Sequence, residues 1–200
     1  MRLILVFVIL ILCSSCSSTQ NYSDIELTWE KALVFFPSKK MHKEKSLLRI
    51  EEIKINEINY KNKMPLLLYL HGCTGLGDGS FLQKLSSIGV VIIAPDSFAR
   101  SYRPMQCNPK TKKGGKNLFI YDFRSAELTY ALEKISEIPW VDYDNLFLFG
   151  ASEGAVTAAL FRGNVFNGRV IAQWTCTGAP LIEGIDAPKN EPILAIVKER

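Results

Sequence analysis

The chain has 200 residues, of which 48% are hydrophobic and 22% are charged, and its formal net charge is +4. This composition is typical of a globular protein and excludes a disordered or fibrous one. The positive charge is mild and spread along the sequence, with no basic run interleaved with aromatic residues, so nothing indicates nucleic-acid binding. We interpret the densest basic stretch, 110–116, as a solvated loop.

The amino terminus has the pattern of an export signal. Met1 and Arg2 supply a positive start, residues 3–12 are an unbroken apolar run, and small residues precede Cys16. Ten apolar residues are too few to cross a bilayer about 30 Å thick. The end of this stretch resembles the lipobox of bacterial lipoproteins, in which Cys16 would carry the lipid, although Cys13 stands where that pattern prefers leucine. An ordinary cleaved signal, or an uncleaved anchor, is the alternative.

The sequence therefore divides into three segments. We assign 1–16 to the signal peptide and lipobox, 17–45 to a tether and N-terminal segment, and 46–200 to the folded domain. About 185 residues remain after the signal, which suits a single domain with its own core. We expect the protein in a bacterial cell envelope, anchored to the membrane by a lipid on Cys16 and facing the periplasm or the exterior.

The remaining cysteines would lie in an oxidising compartment, where disulfides persist. We prefer a Cys107–Cys176 pair because Cys73 lies in a motif with another use, and three free thiols are the alternative. Beyond the signal segment, the sequence has two histidines, His42 and His71, and neither a Cys-x-x-Cys nor a His-x-x-x-His pair. We therefore expect neither a metal site nor a cofactor.

Apolar runs and turn signals predict alternating strands and helices. The predicted strands cover 32–36, 64–70, 89–95, 146–149, 168–174 and 191–197, with antiparallel edge strands in 46–58, and the predicted helices cover 81–87, 121–137 and 155–161. The runs 64–70 and 89–95 are apolar throughout, as in strands buried on both faces of a parallel sheet.

The predicted helix 121–137 is amphipathic. Its apolar stripe, at spacings of three and four, is formed by Leu128, Ala131, Leu132 and Ile135. Arg124, Glu127 and Glu133 are predicted to face away from this stripe.

The loop after strand 89–95 contains polar residues that could reach a ligand. Loops at the carboxyl ends of parallel strands line the crevice of such a sheet. Arg100, Tyr102 and Arg103 could there contact a substrate carboxylate, although solvated loop positions are the favoured interpretation.

The pattern Gly150-x-Ser152-x-Gly154 indicates a nucleophile. It lies between an apolar run, 146–149, and an alanine-rich helical stretch, 155–161. A sharp strand-to-helix turn needs glycines on both sides of the serine and leaves the hydroxyl exposed above the sheet. We therefore predict that Ser152 is a catalytic nucleophile.

The glycine-rich loop, residues 71–79, follows the buried strand 64–70. Its glycines do not have the spacing of a nucleotide-binding loop. We predict instead that it supplies an oxyanion hole, formed by the backbone N–H groups of Cys73 and of Glu153, the residue after the nucleophile. His71 is predicted to hold this loop rather than to act as a base.

Four motifs together resemble the α/β-hydrolase fold and, within it, the dienelactone hydrolase-like proteins. They are Tyr69-Leu-His-Gly-Cys-Thr-Gly75, Ala94-Pro-Asp-Ser-Phe98, Arg124 and Gly150-Ala-Ser-Glu-Gly154. The resemblance implies a mostly parallel sheet with helices on both faces. Dienelactone hydrolases use cysteine where this chain has Ser152, so the implied activity is hydrolysis of carboxylic esters or lactone-like acyl compounds.

The rest of a catalytic triad is missing from the sequence. In this fold the acid and the histidine follow the nucleophile, yet no histidine follows Ser152. Asp186 and Glu199 are the acids considered, and both are better explained as solvated residues. We expect the acid and histidine beyond residue 200, so that the fold is C-terminally incomplete and residues 1–200 alone are inactive or very weak. The alternative function is a non-catalytic binding lipoprotein that keeps the fold.

Overall fold

A computed structural model describes residues 23–37, 47–58, 60–108, 110–111, 117, 119–174, 176, 179 and 182–197. Cys16, His42 and Glu199 lie outside these ranges, as do the signal peptide and most of the tether. Within the described ranges, no helix is long and apolar enough to cross a membrane.

The described residues form four α-helices and a seven-stranded sheet. The helices are α1 (Glu26–Glu30), α2 (Ser80–Ser86), α3 (Phe119–Ser136) and α4 (Glu153–Leu160). The strands are β1 (Leu33–Phe35), β2 (Leu47–Arg49), β3 (Met64–Leu70), β4 (Val91–Ala94), β5 (Val141–Ala151), β6 (Gly168–Ala172) and β7 (Ile193–Ile196).

The sheet is mostly parallel, as predicted. Its strand order is β2-β1-β4-β3-β5-β6-β7, and β1 runs antiparallel to both of its neighbours while β4, β3, β5, β6 and β7 are parallel. Leu70 pairs with Gly150, and Gly150 pairs with Ile171. The carboxyl ends of β3, β5 and β6 therefore meet at one edge of the sheet.

The N-terminal part of the domain differs from the prediction. Helix α1 and strand β1 belong to the fold, so the domain includes residues 26–35, which we had placed in the N-terminal segment. Among the described residues 47–58, only β2 is a strand, and 3₁₀ turns follow at Ile50–Glu52 and Ile55–Glu57. The Arg49 backbone N–H donates to the Glu52 carboxylate at 2.9 Å, which stabilises the first turn.

Helices cover both faces of the sheet because side chains alternate along each strand. Leu66 and Leu68 of β3 belong to a core cluster that includes residues of α1, α3 and α4. Leu67, between them, belongs to the opposite cluster, with Leu82 of α2.

Helix α3 buries more than its apolar stripe. Leu128, Ala131 and Ile135 are buried as predicted. The prediction that Arg124 and Glu127 face away is wrong, because both are fully buried. They are charged yet inside because the Arg124 guanidinium donates to the Glu127 carboxylate at 2.9 Å.

A second buried ion pair lies at the carboxyl end of α4. Arg169 of β6 donates two hydrogen bonds to Glu191, at 2.6 and 2.5 Å. The same guanidinium donates to the carbonyls of Ala158 and Phe161. It thereby satisfies carbonyls that the helix end leaves without a partner.

Candidate active site

Ser152 occupies a strained turn between β5 and α4. Its backbone has φ 53° and ψ −109°, a combination that a residue other than glycine rarely adopts. The turn is held by neighbours on both sides: the Ser152 N–H donates to the Ala172 carbonyl of β6 at 2.8 Å, and the Ser152 carbonyl accepts from Ala155 at 3.0 Å. The strain therefore persists because the surrounding structure fixes it.

Close packing explains why glycines flank the serine. A Cβ atom on Gly150 would overlap the backbone of Gly154, and one on Gly154 would overlap the Leu70 carbonyl. A Cβ on Gly72 would lie 3.3 Å from the Ser152 Cβ. The glycine-rich loop, 71–79, thus packs directly against the turn, which only small residues allow.

A pocket of about 650 Å³ opens beside Ser152. Its wall carries an aromatic row in which the Tyr69 and Phe81 rings lie 5.4 and 5.7 Å from the Phe149 ring. Burial raises the pKa of Tyr69. Among the described residues that line the pocket, none is charged. The pocket therefore suits a neutral, largely apolar group.

The two predicted oxyanion donors lie next to the nucleophile. Cys73 lines the pocket and follows Gly72, while Glu153 is the first residue of α4. Within the described part of the chain, neither backbone N–H has a hydrogen-bond acceptor. Both groups are thus free to donate a hydrogen bond to a bound molecule.

His71 is completely buried beneath the glycine-rich loop. Its Nδ1 lies 2.7 Å from the Gly72 carbonyl and its Nε2 lies 3.0 Å from the Ser97 backbone N–H. Since Nε2 accepts from Ser97, Nδ1 carries the proton and the ring is neutral. Burial, aided by the positive charge of Arg124, holds the pKa of His71 well below its usual value. His71 positions the loop, as predicted, and cannot serve as the base for Ser152.

A buried ionic network lies behind the loop. Arg103 donates to the Glu153 Oε1 at 2.5 Å, and the Arg124 Nε lies 3.6 Å from the same atom. The Arg124 guanidinium also donates to the His71 carbonyl at 3.0 Å. Burial raises the pKa of Glu153 even though both arginines favour its charged form. The network connects helix α4 with the glycine-rich loop.

The network is incompletely satisfied. Glu153 Oε2 and Arg124 Nε are buried without a hydrogen-bond partner among the described residues. Such atoms are rare in folded proteins.

The structure corrects our interpretation of the loop after β4. Arg100 and Arg103 are neither solvated nor part of the pocket wall, since Arg100 donates to Glu127 at 2.7 Å and to Asp24 at 2.9 Å. Tyr102 is exposed but does not line the pocket. A sequence pattern could not show this because each arginine meets a carboxylate distant along the chain.

The disulfide prediction is also wrong. Cys73 pairs with Cys107, and Cys176 keeps a free thiol whose pKa is raised by burial. The Cys73 and Cys107 Cα atoms lie 5.7 Å apart, within the range that a disulfide spans. We had reserved Cys73 for the oxyanion loop, but that role would use its backbone N–H and leaves its side chain free to bond.

The structure assembles no triad among the described residues. The Asp186 carboxylate pairs with Arg162 at 2.7 Å, and the Asp186 backbone N–H donates to the Ala159 carbonyl, toward the far end of α4. Ala159 is seven positions after Ser152, which corresponds to a rise of about 10 Å along a helix. No cluster of His, Cys, Asp or Glu that could hold a metal occurs in the described ranges.

The sequence did not point to Gln173, a polar residue of the pocket wall. Gln173 follows β6, lines the pocket and has φ 62°. A left-handed backbone at a residue other than glycine is uncommon. No sequence pattern distinguishes this glutamine.

Comparisons with known proteins return similar folds at low identity. No protein-family model and no curated protein sequence matches the chain. A candidate dienelactone hydrolase from Klebsiella pneumoniae is 15% identical with a TM-score of 0.44, over 68% of this chain and 62% of that one. An acetyl xylan esterase from Paenibacillus sp. R4 is 18% identical with a TM-score of 0.42, over 57% and 42% of the two chains.

A dipeptidyl peptidase 4 from Porphyromonas gingivalis is 19% identical with a TM-score of 0.39, over 57% of this chain and 17% of that one. The chain thus spans at most about three fifths of the length of these structures. The likenesses are weak, and the assignment of the fold rests on the strand order and on the turn at Ser152. The chain has an α/β-hydrolase fold.

Proposed function

We propose that the protein is a hydrolase of carboxylic esters or lactone-like acyl compounds, with Ser152 as the nucleophile. The observation that carries this proposal is the strained backbone of Ser152, which the surrounding glycines and the Ala172 carbonyl hold at the mouth of an apolar pocket. A residue kept in a costly conformation by its neighbours is typical of active sites.

The proposed reaction is acyl transfer to the serine. The Ser152 hydroxyl attacks the substrate carbonyl carbon, and its proton passes to a base. The Cys73 and Glu153 N–H groups bind the oxygen that becomes negative. The acyl–serine ester forms as the alcohol leaves with a proton, and water then releases the acid and restores the serine. We propose that the two remaining members of the triad, the histidine base and its acidic partner, lie outside the described residues.

The substrate in this proposal is a small neutral ester. The pocket wall is formed by Tyr69, Phe81 and Phe149, with no charged side chain among its described residues. The arginines that could have bound a carboxylate are occupied by Asp24, Glu127 and Glu153.

Replacement of the nucleophile tests this proposal. In the full-length protein, Ser152→Ala is expected to lower hydrolysis of 4-nitrophenyl acetate by about a thousandfold or more. Ser136→Ala is the matched control, since this exposed serine ends α3 and is expected to keep full activity. Equal hydrolysis by the Ser152→Ala variant would refute the proposed mechanism.

A non-catalytic binding protein is the second candidate. It is favoured by one observation: the described histidine, His71, is buried and already bonded, so no base stands beside Ser152 in the described ranges. The intact mass of the protein purified from its source, with any lipid removed, separates the two functions. A mass well above that of about 185 residues, with a histidine in the added part, supports the hydrolase. A mass matching 16–200 supports the binding protein.

We further propose that Cys16 carries a lipid that anchors the protein in a bacterial cell envelope. The support is the sequence pattern alone. Metabolic labelling with a fatty-acid analogue should mark the protein, and Cys16→Ser should abolish the label. A labelled Cys16→Ser variant would contradict this anchor.

A further inference from the structure

The two candidate oxyanion donors are connected through their own side chains to one short segment, 103–107. The Cys73 side chain is bonded to Cys107. The Glu153 carboxylate accepts a hydrogen bond from Arg103 at 2.5 Å. Both connections use side-chain atoms, so they leave the backbone N–H groups of Cys73 and Glu153 free.

We propose that Arg103 is a positioning residue which, together with the Cys73–Cys107 disulfide, fixes the two oxyanion donors relative to each other. This inference rests on the proposed function. Donors stabilise an oxyanion only when they are set in advance at hydrogen-bond distance from the same point. Cys73 belongs to the loop after β3 and Glu153 begins α4, so nothing local along the chain couples them, whereas the 103–107 segment does.

The 103–107 segment is itself held firmly enough to act in this way. The Arg103 Nε donates to the Ser97 hydroxyl at 2.7 Å, and the guanidinium lies 4.2 Å from the centre of the Phe98 ring. The Gln106 amide donates to the Tyr121 hydroxyl at 3.2 Å, and its carbonyl accepts from the Asn117 N–H at 3.0 Å. Both ends of the segment are therefore fixed to the body of the domain.

Arg103 does not act on the substrate directly. Its side chain is 3% exposed and it does not line the pocket. Its effect must pass through Glu153, whose side chain is 1% exposed and also lies outside the pocket wall. Burial raises the pKa of Glu153, so loss of Arg103 would push this carboxyl further toward its neutral form.

The test measures how fast Ser152 reacts with a fluorophosphonate, whose P=O oxygen occupies the oxyanion position. The full chain is used, and the labelled peptide is identified by mass spectrometry. Arg103→Met is expected to lower the maximal labelling rate by about tenfold or more, because misplaced donors stabilise the transition state less. The reagent concentration for half-maximal rate should stay unchanged, since the pocket is untouched.

Three further variants distinguish positioning from a general loss of structure. Glu153→Ala should lower the labelling rate as much as Arg103→Met does. The double variant, Arg103→Met with Glu153→Ala, should lose no more than either single variant, because both substitutions remove the same Arg103–Glu153 connection. Glu153→Gln keeps an acceptor for Arg103 and should recover most of the rate. A double variant whose losses multiply would overturn the proposal.

Arg100→Met is the matched control. It removes another buried arginine of the same network, but one that bonds to Asp24 and Glu127 rather than to Glu153. It should lower the thermal midpoint and leave the labelling rate of the folded protein within about twofold, the spread expected where no contact with the site is lost. If Arg103→Met labels as fast as the parent protein, the positioning role is refuted. If the parent labels no faster than Ser152→Ala, the proposed function fails and this inference fails with it.

Discussion

Helix α4 is held by a buried arginine–glutamate pair at each of its ends, and the two pairs differ in how completely their atoms are satisfied. At the carboxyl end, Arg169 and Glu191 form two direct hydrogen bonds and Arg169 also caps helix carbonyls. At the amino end, beside Ser152, Glu153 Oε2 and Arg124 Nε have no partner among the described residues.

This difference predicts that the two ends of the helix contribute differently to stability. A buried ion pair contributes to stability only when its remaining donors and acceptors are also satisfied. The Arg169–Glu191 pair meets that condition, and we interpret it as structural. The amino-end network does not, and we expect it to contribute less to stability and more to the geometry of the site.

The largest expected effect is at the carboxyl end. Arg169→Met should lower the free energy of unfolding by about 3–5 kcal/mol, because it leaves the Glu191 carboxylate buried without a partner. Denaturant unfolding monitored by circular dichroism measures the change. Arg169→Met combined with Glu191→Leu should recover much of the lost free energy of unfolding. If Arg169→Met alone leaves the free energy of unfolding unchanged, the proposed difference in stability between the two ends of α4 is wrong.

The next effect is a pH dependence that arises at the amino end. The pKa of His71 is depressed below 6.5 by burial and by Arg124, so folding favours its neutral form. The unfolded chain then binds more protons as the pH falls, and stability should decline below about pH 6.5. Unfolding free energies measured from pH 8 to pH 5 test this expectation.

His42→Gln is the control for this pH dependence, because it removes the other histidine of the chain. The decline should persist in that variant. Its disappearance would assign the titration to His42 and contradict the role given to His71.

A smaller effect is expected for Glu153→Gln. We expect the free energy of unfolding to fall by only about 1 kcal/mol near pH 5, because glutamine keeps an acceptor for Arg103. The raised pKa of Glu153 means that its contribution is present below about pH 4.5 and is lost as the pH rises through the raised pKa. The difference between parent and variant should therefore shrink toward pH 8. A difference that grows with pH would reverse the assigned sign.

The smallest effect is expected at the surface. Arg162→Ala removes an ion pair with Asp186 in which the arginine side chain is 79% exposed. Exposed pairs contribute about 0–1 kcal/mol. A loss in free energy of unfolding as large as that of Arg169→Met would show that the exposure of an ion pair does not predict its contribution to stability.

The sequence predicted those parts of the fold that depend on local pattern. Strand β3 matches its predicted bounds, because the seven consecutive residues that begin at Met64 form an uninterrupted apolar run ahead of the glycine-rich loop. The turn at Ser152 was predictable because the close approaches of Gly150 and Gly154 exclude any side chain. These constraints act within a few residues of chain.

The buried polar network was not predictable in this way. Arg124 and Glu127 are charged residues that we had placed away from the apolar stripe of α3, and solvent exposure is the ordinary interpretation of such positions. They are buried because a histidine carbonyl 53 residues away accepts from Arg124. The Cys73–Cys107 pair likewise joins loops after two different strands. The burial of Arg124 and Glu127 and the Cys73–Cys107 bond both depend on the order of the strands in the sheet. A local sequence pattern does not determine that order.

The Cys73–Cys107 bond also separates two events in the life of the chain. The sheet and its packed helices form from apolar contacts that need no oxidant, such as those of Leu66 and Leu128. The link between the glycine-rich loop and the 103–107 segment needs oxidation of two thiols. Formation of this link is therefore a chemical step distinct from the packing of the core, and it requires an oxidant.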